Sequence, residues 1–397
     1  MRKVDHLLLV CALLLLGFGL VMVYSASAVK AGEDYGDPAF YLKRELIWAG
    51  IGICAMVAVA QIRYERLMGL AGPALAVSLV LLALVLVPGV GKIAGGARRW
   101  LAFGPMRLQP TEMAKVALLA FVARALHRRQ EEVGNFTDFF VPVMVISGLT
   151  CGLMLLEPDL GSPILLMGAT LAVLFIGGCK LPHLLLVLAS ATPAVVFLVL
   201  STDYRRDRLL AFLDPWKYAK DEGYQVTQSL IALGAGGPLG VGLGKGMQKL
   251  WFLPASHTDF IFSVIGEELG FIGAAAVVVL FAMLVGRGFR AGNRAPDAFG
   301  QYLAYGLSFL LGLQAVMNVA VVTSSMPTKG IPLPFVSYGG SSLLFTMVAV
   351  GILLNISRHG ISWSAEPMPS GFDTLGDKLR GRRRALLPLL RRKVLAR

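Results

Sequence analysis

The apolar residues of this chain fall into long uninterrupted runs separated by short polar links, rather than into alternating or one-sided patterns. Runs of roughly 18 to 25 apolar residues are long enough to cross a hydrocarbon core of about 30 Å as helices. A backbone in lipid must satisfy its own hydrogen bonds, so such runs have to be helical. A β-barrel would need short alternating segments, and the sequence has none. The pattern predicts helices near 6–28, 45–61, 70–90, 111–126, 138–156, 161–178, 183–201, 260–285, 300–322 and 340–357, about ten in all. The first run follows Arg2 and Lys3 and ends in Ser25-Ala26-Ser27-Ala28, which imitates a signal peptide. It is too long for an ordinary signal and more spans follow, so it is read as the first transmembrane helix. The expected fold is an all-α polytopic membrane protein.

Composition agrees. The 397 residues are 56% hydrophobic and 15% charged, with a mean hydropathy of +0.69, against about 25% charged in soluble domains. No nucleic-acid partner is expected. Cys11, Cys54, Cys151 and Cys179 lie in or beside apolar runs without CxxC spacing, so neither a disulfide framework nor a zinc site follows.

Charge orients the spans by the positive-inside rule. With a cytoplasmic N-terminus, the inner loops carry Arg63 and Arg66, then Arg124, Arg128 and Arg129, Lys180, and Arg287, Arg290 and Arg294. Both termini are then cytoplasmic, with a multi-span domain over 1–360 and a basic tail over 361–397 expected to lie on anionic lipid. Two outer loops are also basic: Lys92 to Arg107, and the large extracytoplasmic loop 202–258 between helices 7 and 8, with Arg205, Arg206 and Arg208. Either the topology differs there or those cations serve an anionic ligand on the outer face; in the long loop, Asp203, Asp207, Asp214, Asp221 and Glu222 also allow solvated ion pairs.

Charges within spans are costly and mark functional candidates. The fourth span opens with Gln109-Pro110-Thr111-Glu112, and Lys115 follows at i,i+3 from Glu112. Either Glu112 and Lys115 lock helices as an ion pair, or Lys115 and Arg107 form a cation pair facing a cavity that admits an anionic headgroup. Glu157-Pro158-Asp159 offers two carboxylates that either bind a metal or cap the next helix. The glycine-rich stretch Gly234–Gly246 fails the Walker A and GxGxxG spacings, so its glycines are read as letting backbone pack against a ligand or the membrane surface.

The strongest chemical signal is Ser256-His257-Thr258-Asp259, running into the eighth span. Thr258 is a candidate helix cap, which puts Asp259 in the first turn, either as a dipole partner or as a general base at a cavity mouth. Glu267 lies about 12 Å deeper at 1.5 Å per residue. Glu267 and Glu268 need partners inside the membrane, and Lys115 or Arg107 are the expected ones. Pro327 to Ser342, rich in proline, glycine and hydroxyls, reads as a broken or re-entrant segment that protein or a cavity must cover.

Together these blocks resemble the SEDS family (shape, elongation, division and sporulation). The resemblance is carried by Gly96-Ala97-Arg98-Arg99-Trp100, Gln109-Pro110-Thr111-Glu112 with Lys115, Glu157-Pro158-Asp159-Leu160-Gly161, and Asp214-Pro215-Trp216. It continues in Gly223-Tyr224-Gln225, His257-Thr258-Asp259-Phe260 and Pro334-Phe335-Val336-Ser337-Tyr338-Gly339-Gly340-Ser341-Ser342. Pro327-Thr328-Lys329-Gly330 is similar to the division and sporulation members rather than the elongation members.

The resemblance implies a peptidoglycan glycosyltransferase in the bacterial cytoplasmic membrane, at the division septum. It would polymerise lipid II and release undecaprenyl pyrophosphate. Asp259 is then the essential carboxylate. Arg98, Arg99, Arg107 and Lys115 are candidates for the pyrophosphate, and Trp100 for an acyl chain or sugar face. Glu112, Glu267 and Ser341 complete the expected substrate contacts. A divalent cation, magnesium or manganese, is left open, with Glu157 and Asp159 as candidate ligands. A class B penicillin-binding protein and other division proteins are the implied partners. A lipid II flippase and a non-catalytic division scaffold are the rival readings.

Overall fold

The computed structural model describes residues 4–360 apart from 95, 96, 105 and 202, so the basic tail and Gly96 lie outside the described residues. The chain opens with α1 (His6–Tyr35), α2 (Phe40–Gln61) and α3 (Tyr64–Leu86). A three-stranded antiparallel sheet follows, β1 (Gly91–Ala94), β2 (Ala97–Phe103) and β3 (Met106–Leu108), with β2 central. Then come α4 (Pro110–Arg128), α5 (Val141–Leu156), α6 (Gly161–Ile176) and α7 (Leu181–Leu200). The long loop folds as α8 (Asp203–Leu213), α9 (Tyr224–Gly236) and α10 (Gln248–Trp251), before α11 (Ile261–Asn293), α12 (Ala298–Val322) and α13 (Gly340–His359).

Each predicted helix has a counterpart, and α1, α3, α5 with its preceding turn, α11, α12 and α13 are long and apolar enough to cross a membrane. α6 and much of α7 are shorter apolar helices. Apolar side chains left on the surface, such as Val10, Leu14 and Val21 of α1, suit contact with lipid. α13 packs on α2, and α12 on α11 and α4. Gly351 lets α13 approach closely, since a Cβ there would lie 2.7 Å from the Met56 carbonyl oxygen.

Two features were not foreseen from the apolar runs. The basic loop 92–107 contains the sheet, in which Lys92 faces Trp100 and Ala102 faces Arg107. The large loop is partly helical, and α9 packs on α11.

α11 is broken at Gly270 (φ 66°, ψ −167°). The glycine-rich loop fills the break. Val241 and Gly242 donate to the carbonyls of Glu267 and Glu268 at 3.0 Å each, and Phe271 and Ile272 donate to Gly237 and Pro238 at 2.9 and 3.2 Å. Gly236, Gly240 and Gly246 are therefore set against α11, while Leu239 and Leu243 of the same stretch stay exposed. At Gly240 (φ 81°) a Cβ would lie 2.2 Å from the Glu268 oxygen.

Glu267 and Glu268 do not pair with Lys115 or Arg107. The Glu267 carboxylate accepts from the Met247 and Gln248 amides at 2.7 and 3.2 Å. Glu268 pairs with Lys249 at 2.6 Å and accepts from Ser25 at 2.7 Å and from the Gly244 amide at 3.0 Å. Both carboxylates are buried, and neighbouring loop donors reach them before any more distant cation.

Gly240→Ala is therefore expected to lower the thermal unfolding temperature of the purified protein in detergent, because it combines a left-handed backbone with a backbone clash. Gly234→Ala, in α9 with open space around it, should leave that temperature unchanged or raise it.

Candidate functional site

Two loops meet at the entrance to α11. The first, Leu253–Phe260, turns at Ala255 (φ 57°), and the amides of Thr258 and Phe260 both donate to its carbonyl. The Thr258 hydroxyl also points back to Ala255, at 3.2 Å, and the α11 N-cap is Phe260 with no side-chain cap bond. Thr258 is thus not the cap, and Asp259 precedes the helix instead of occupying its first turn. The second loop is the segment 327–339. Its Ile331, Leu333, Phe335 and Val336 are buried, as a non-helical stretch at membrane depth requires.

Polar side chains of α12 hold the two loops together. Asn318 Nδ2 donates to the carbonyls of both Asp259 and Ile331, at 2.8 Å each. One turn away, Gln314 Nε2 donates to Pro332 at 3.0 Å. Ser337 Oγ donates to Thr258 at 2.6 Å, and the Tyr338 amide donates to His257 at 2.9 Å. Gly330 lies beside the acid: a Cβ there would stand 3.2 Å from Asp259 Oδ2.

The Asp259 carboxylate has no hydrogen bond or ion pair among the described residues and stays partly accessible. Burial pushes its pKa up to about 6, against the pull of Arg208 and Arg99, with Asp159 adding a smaller upward push. Lys329 precedes Gly330 in the second loop; burial lowers its pKa, and Asp159 pulls it back up. The arrangement is one carboxylate kept basic within the field of two cations, Arg99 and Arg208. Such a site can take a proton while holding an anion.

The predicted residues divide by location. Arg99 belongs to the site: from β2 its guanidinium donates to the carbonyls of Glu157 and Pro158, and its charge reaches Asp259. Arg98 is tied to the end of α3, donating to Leu86 at 3.3 Å. Trp100 is half-buried on β2, and Arg107 is exposed on β3, close enough to act on Tyr338. Lys115 is buried and neutralised by Glu112 at 2.9 Å, so it is not a free cation lining an opening. Its other neighbour is Gln314 Oε1 at 3.5 Å, which makes it a support for the loop clamp. Ser341 lies buried in the first turn of α13 with its hydroxyl unpartnered. His257 sits between the rings of Tyr41 and Tyr338, and burial holds it down at about 4, so it is neutral at pH 7.

Glu157 and Asp159 do not fit a divalent cation. Asp159 Oδ1 accepts from the amides of Gly161 and Ser162 at 3.0 and 3.2 Å and so caps α6. Burial pushes Glu157 up to about 8, which keeps it protonated at pH 7, and Thr111 donates to it at 3.1 Å. Among the described residues no third carboxylate, imidazole or thiol joins them.

Sequence reasoning missed Asn318 and passed over Arg208 as one of many loop charges. Lys329 and Gly330 counted toward the re-entrant segment and the resemblance, not as site residues. Gln314 and Asn318 carried a usable signal: two amides at i,i+4 in an apolar helix must find partners inside the protein.

The family model described as cell cycle protein, FtsW/RodA/SpoVE, matches residues 5–361. The probable peptidoglycan glycosyltransferase FtsW of Geobacter metallireducens is 46% identical over 90% of this chain and 96% of its own. Stage V sporulation protein E of Bacillus subtilis is 41% identical over 89% and 97%. The rod shape determining protein RodA of Thermus thermophilus superposes with a TM-score of 0.68 at 30% identity, over 91% of this chain and 98% of that one. A chain from a structure described as the coordination of polymerization and crosslinking by a peptidoglycan synthase complex superposes at 0.75 with 32% identity, over 90% and 98%. A match that runs through nearly every helix, at this identity and in both sequence and structure, leaves one conclusion: the chain belongs to the FtsW/RodA/SpoVE family, the SEDS proteins.

Proposed function

We propose that the protein is a peptidoglycan glycosyltransferase that polymerises lipid II at the outer face of the cytoplasmic membrane during cell division. The observation that carries this reading is the carboxylate of Asp259, unpaired among the described residues and partly accessible, within the field of Arg99 and Arg208. The acceptor's 4-hydroxyl gives its proton to Asp259 as its oxygen attacks the anomeric carbon of the donor. The bond to the undecaprenyl pyrophosphate breaks on the opposite face, inverting that carbon. The leaving group takes the electron pair, and the cations stabilise its charge. A single base and a good leaving group suffice for this, so a second catalytic carboxylate is not required.

In the proposed orientation both termini are cytoplasmic, supported by Arg124, Arg128, Arg129, Arg287, Arg290 and Arg294 on one side. Asp259 then opens to the outer leaflet, where lipid II presents its disaccharide. The basic outer segments gain a role, since Arg99 and Arg208 come from them. A class B penicillin-binding protein is the proposed partner for cross-linking, and the septum the proposed site of action.

Asp259→Asn should abolish lipid II polymerisation by the purified protein with its partner, a loss of about 10² to 10⁴ in rate. Expression, thermal unfolding and partner binding should be nearly unchanged, because the side chain makes no bond that the amide would lose. Polymerisation close to the wild-type rate would reject the assignment, and so would loss of lipid II transport as the sole defect.

The reaction needs Asp259 ionised. With a pKa of about 6 it is about nine-tenths ionised at pH 7 and about one-tenth at pH 5, so the rate should fall about tenfold over that interval. A flat profile of kcat/KM from pH 5 to 7 rules the base out.

Gly330→Ala should lower the rate by crowding the carboxylate at 3.2 Å. Thermal unfolding should be nearly unchanged, since Gly330 is exposed. Single-turnover measurement separates this effect from weakened substrate binding.

A further inference from the structure

At the end of α11 remote from Asp259, Arg287, Arg290 and Arg294 recur at spacings of three and four and so share one helix face. They line a cavity of about 360 Å³, closed on the other side by the start of α1, with Asp5 and His6, and by Ser357 of α13. One of the three is neutralised. Arg287 donates from Nε and Nη2 to the Asp5 carboxylate at 2.6 to 3.2 Å, and Asp5 also caps α1 through the Leu8 amide at 3.1 Å. The guanidinium groups of Arg290 and Arg294 have no hydrogen bond or ion pair among the described residues. The cavity therefore holds two uncompensated guanidinium groups, beside the partial positive charge of the α1 N-terminus.

The positive-inside rule and the α11 dipole account for arginines at this level of the membrane. Neither accounts for their convergence on a concave space whose one carboxylate is already engaged.

We propose that this cavity binds the phosphate of an anionic lipid headgroup in the inner leaflet. Guanidinium forks match phosphate oxygens in a bidentate geometry. Val4, Leu7 and Ala291 add apolar wall to the same cavity, which suits a headgroup that carries acyl chains better than free phosphate. The bound lipid bridges α1 and α11. The leaflet assignment rests on the orientation proposed above. The binding itself does not, and it is measured without lipid II, so its failure is distinct from failure of the glycosyltransferase reading.

The test is native mass spectrometry of the purified full chain in detergent, titrated with phosphatidylglycerol, phosphatidylcholine or inorganic phosphate. Saturable binding of phosphatidylglycerol in preference to phosphatidylcholine is expected. Arg290→Gln with Arg294→Gln should weaken it about thirtyfold, from two cations near the membrane surface. Neither residue has a partner to lose, so thermal unfolding should be unchanged; Arg290→Gln alone, at an exposed position, gives a second measure with an intermediate loss. Arg63→Gln, which changes an exposed arginine on the same side of the membrane, should leave binding intact. Wild-type binding in the double variant overturns the proposal. So does an equal loss in Arg63→Gln, which indicates diffuse surface charge, and so does displacement of the lipid by millimolar inorganic phosphate, which assigns the cavity to a free anion.

Discussion

The structure depends on one constraint, that a helix interrupted inside a membrane must have its freed backbone groups satisfied by protein. α11 is interrupted at Gly270, and the glycine-rich loop supplies donors and acceptors on both sides of the break. Each such group left unpaired in hydrocarbon would cost several kcal/mol. The loop can come close enough because Gly240 and Gly270 lack side chains where the two backbones meet. The same contact brings Gly244 and Lys249 onto Glu268, and Met247 and Gln248 onto Glu267. Two buried carboxylates, of which Glu267 reads in the sequence as a substrate contact, thus hold the large loop to the bundle.

With that loop anchored, the short stretch before the break becomes a fixed mount for the site. Ser263 meets Ser229 of α9 at 2.7 Å, and Ser229 also donates to Val322 of α12 at 2.7 Å. Asn318 fixes the backbone of Asp259 itself. The carboxylate is therefore positioned through its main chain while its side chain stays without partners. A general base needs both properties: a set location and a lone pair not already committed.

The helical framework was readable from the apolar runs because each run is long and its register with neighbours does not affect its identity as a helix. Asp259 stood out as a candidate as well, since an acid at the mouth of a span is conspicuous, though the structure sets it before the helix and not in its first turn. What escaped prediction depends on tertiary contact. The strands around Arg99 and Arg107 are short and interrupted by turns, too brief for alternation to register. The partner of Glu268 is Lys249, a residue indistinguishable in sequence from other loop cations. Lys115 reads as a site cation until its neutralisation by Glu112 and its contact with Gln314 place it behind the clamp. Arg208 could not be separated from the surrounding charges, because only its proximity to Asp259 sets it apart.

The interruption at Gly270 also divides α11 mechanically. The segment Ile261–Leu269, about 13 Å long at 1.5 Å per residue, is bound to α1 through Ser25 and to α9 through Ser229. Beyond it, Phe271 and Ile272 stand exposed, and the helix runs on toward Asn293 with much of its apolar surface uncovered. A bilayer that thickens or thins loads that outer stretch and changes its tilt. Because the glycine breaks the helical rod and the loop is bonded to both sides of the break, part of that load passes into the loop instead of running straight along one helix to the carboxylate.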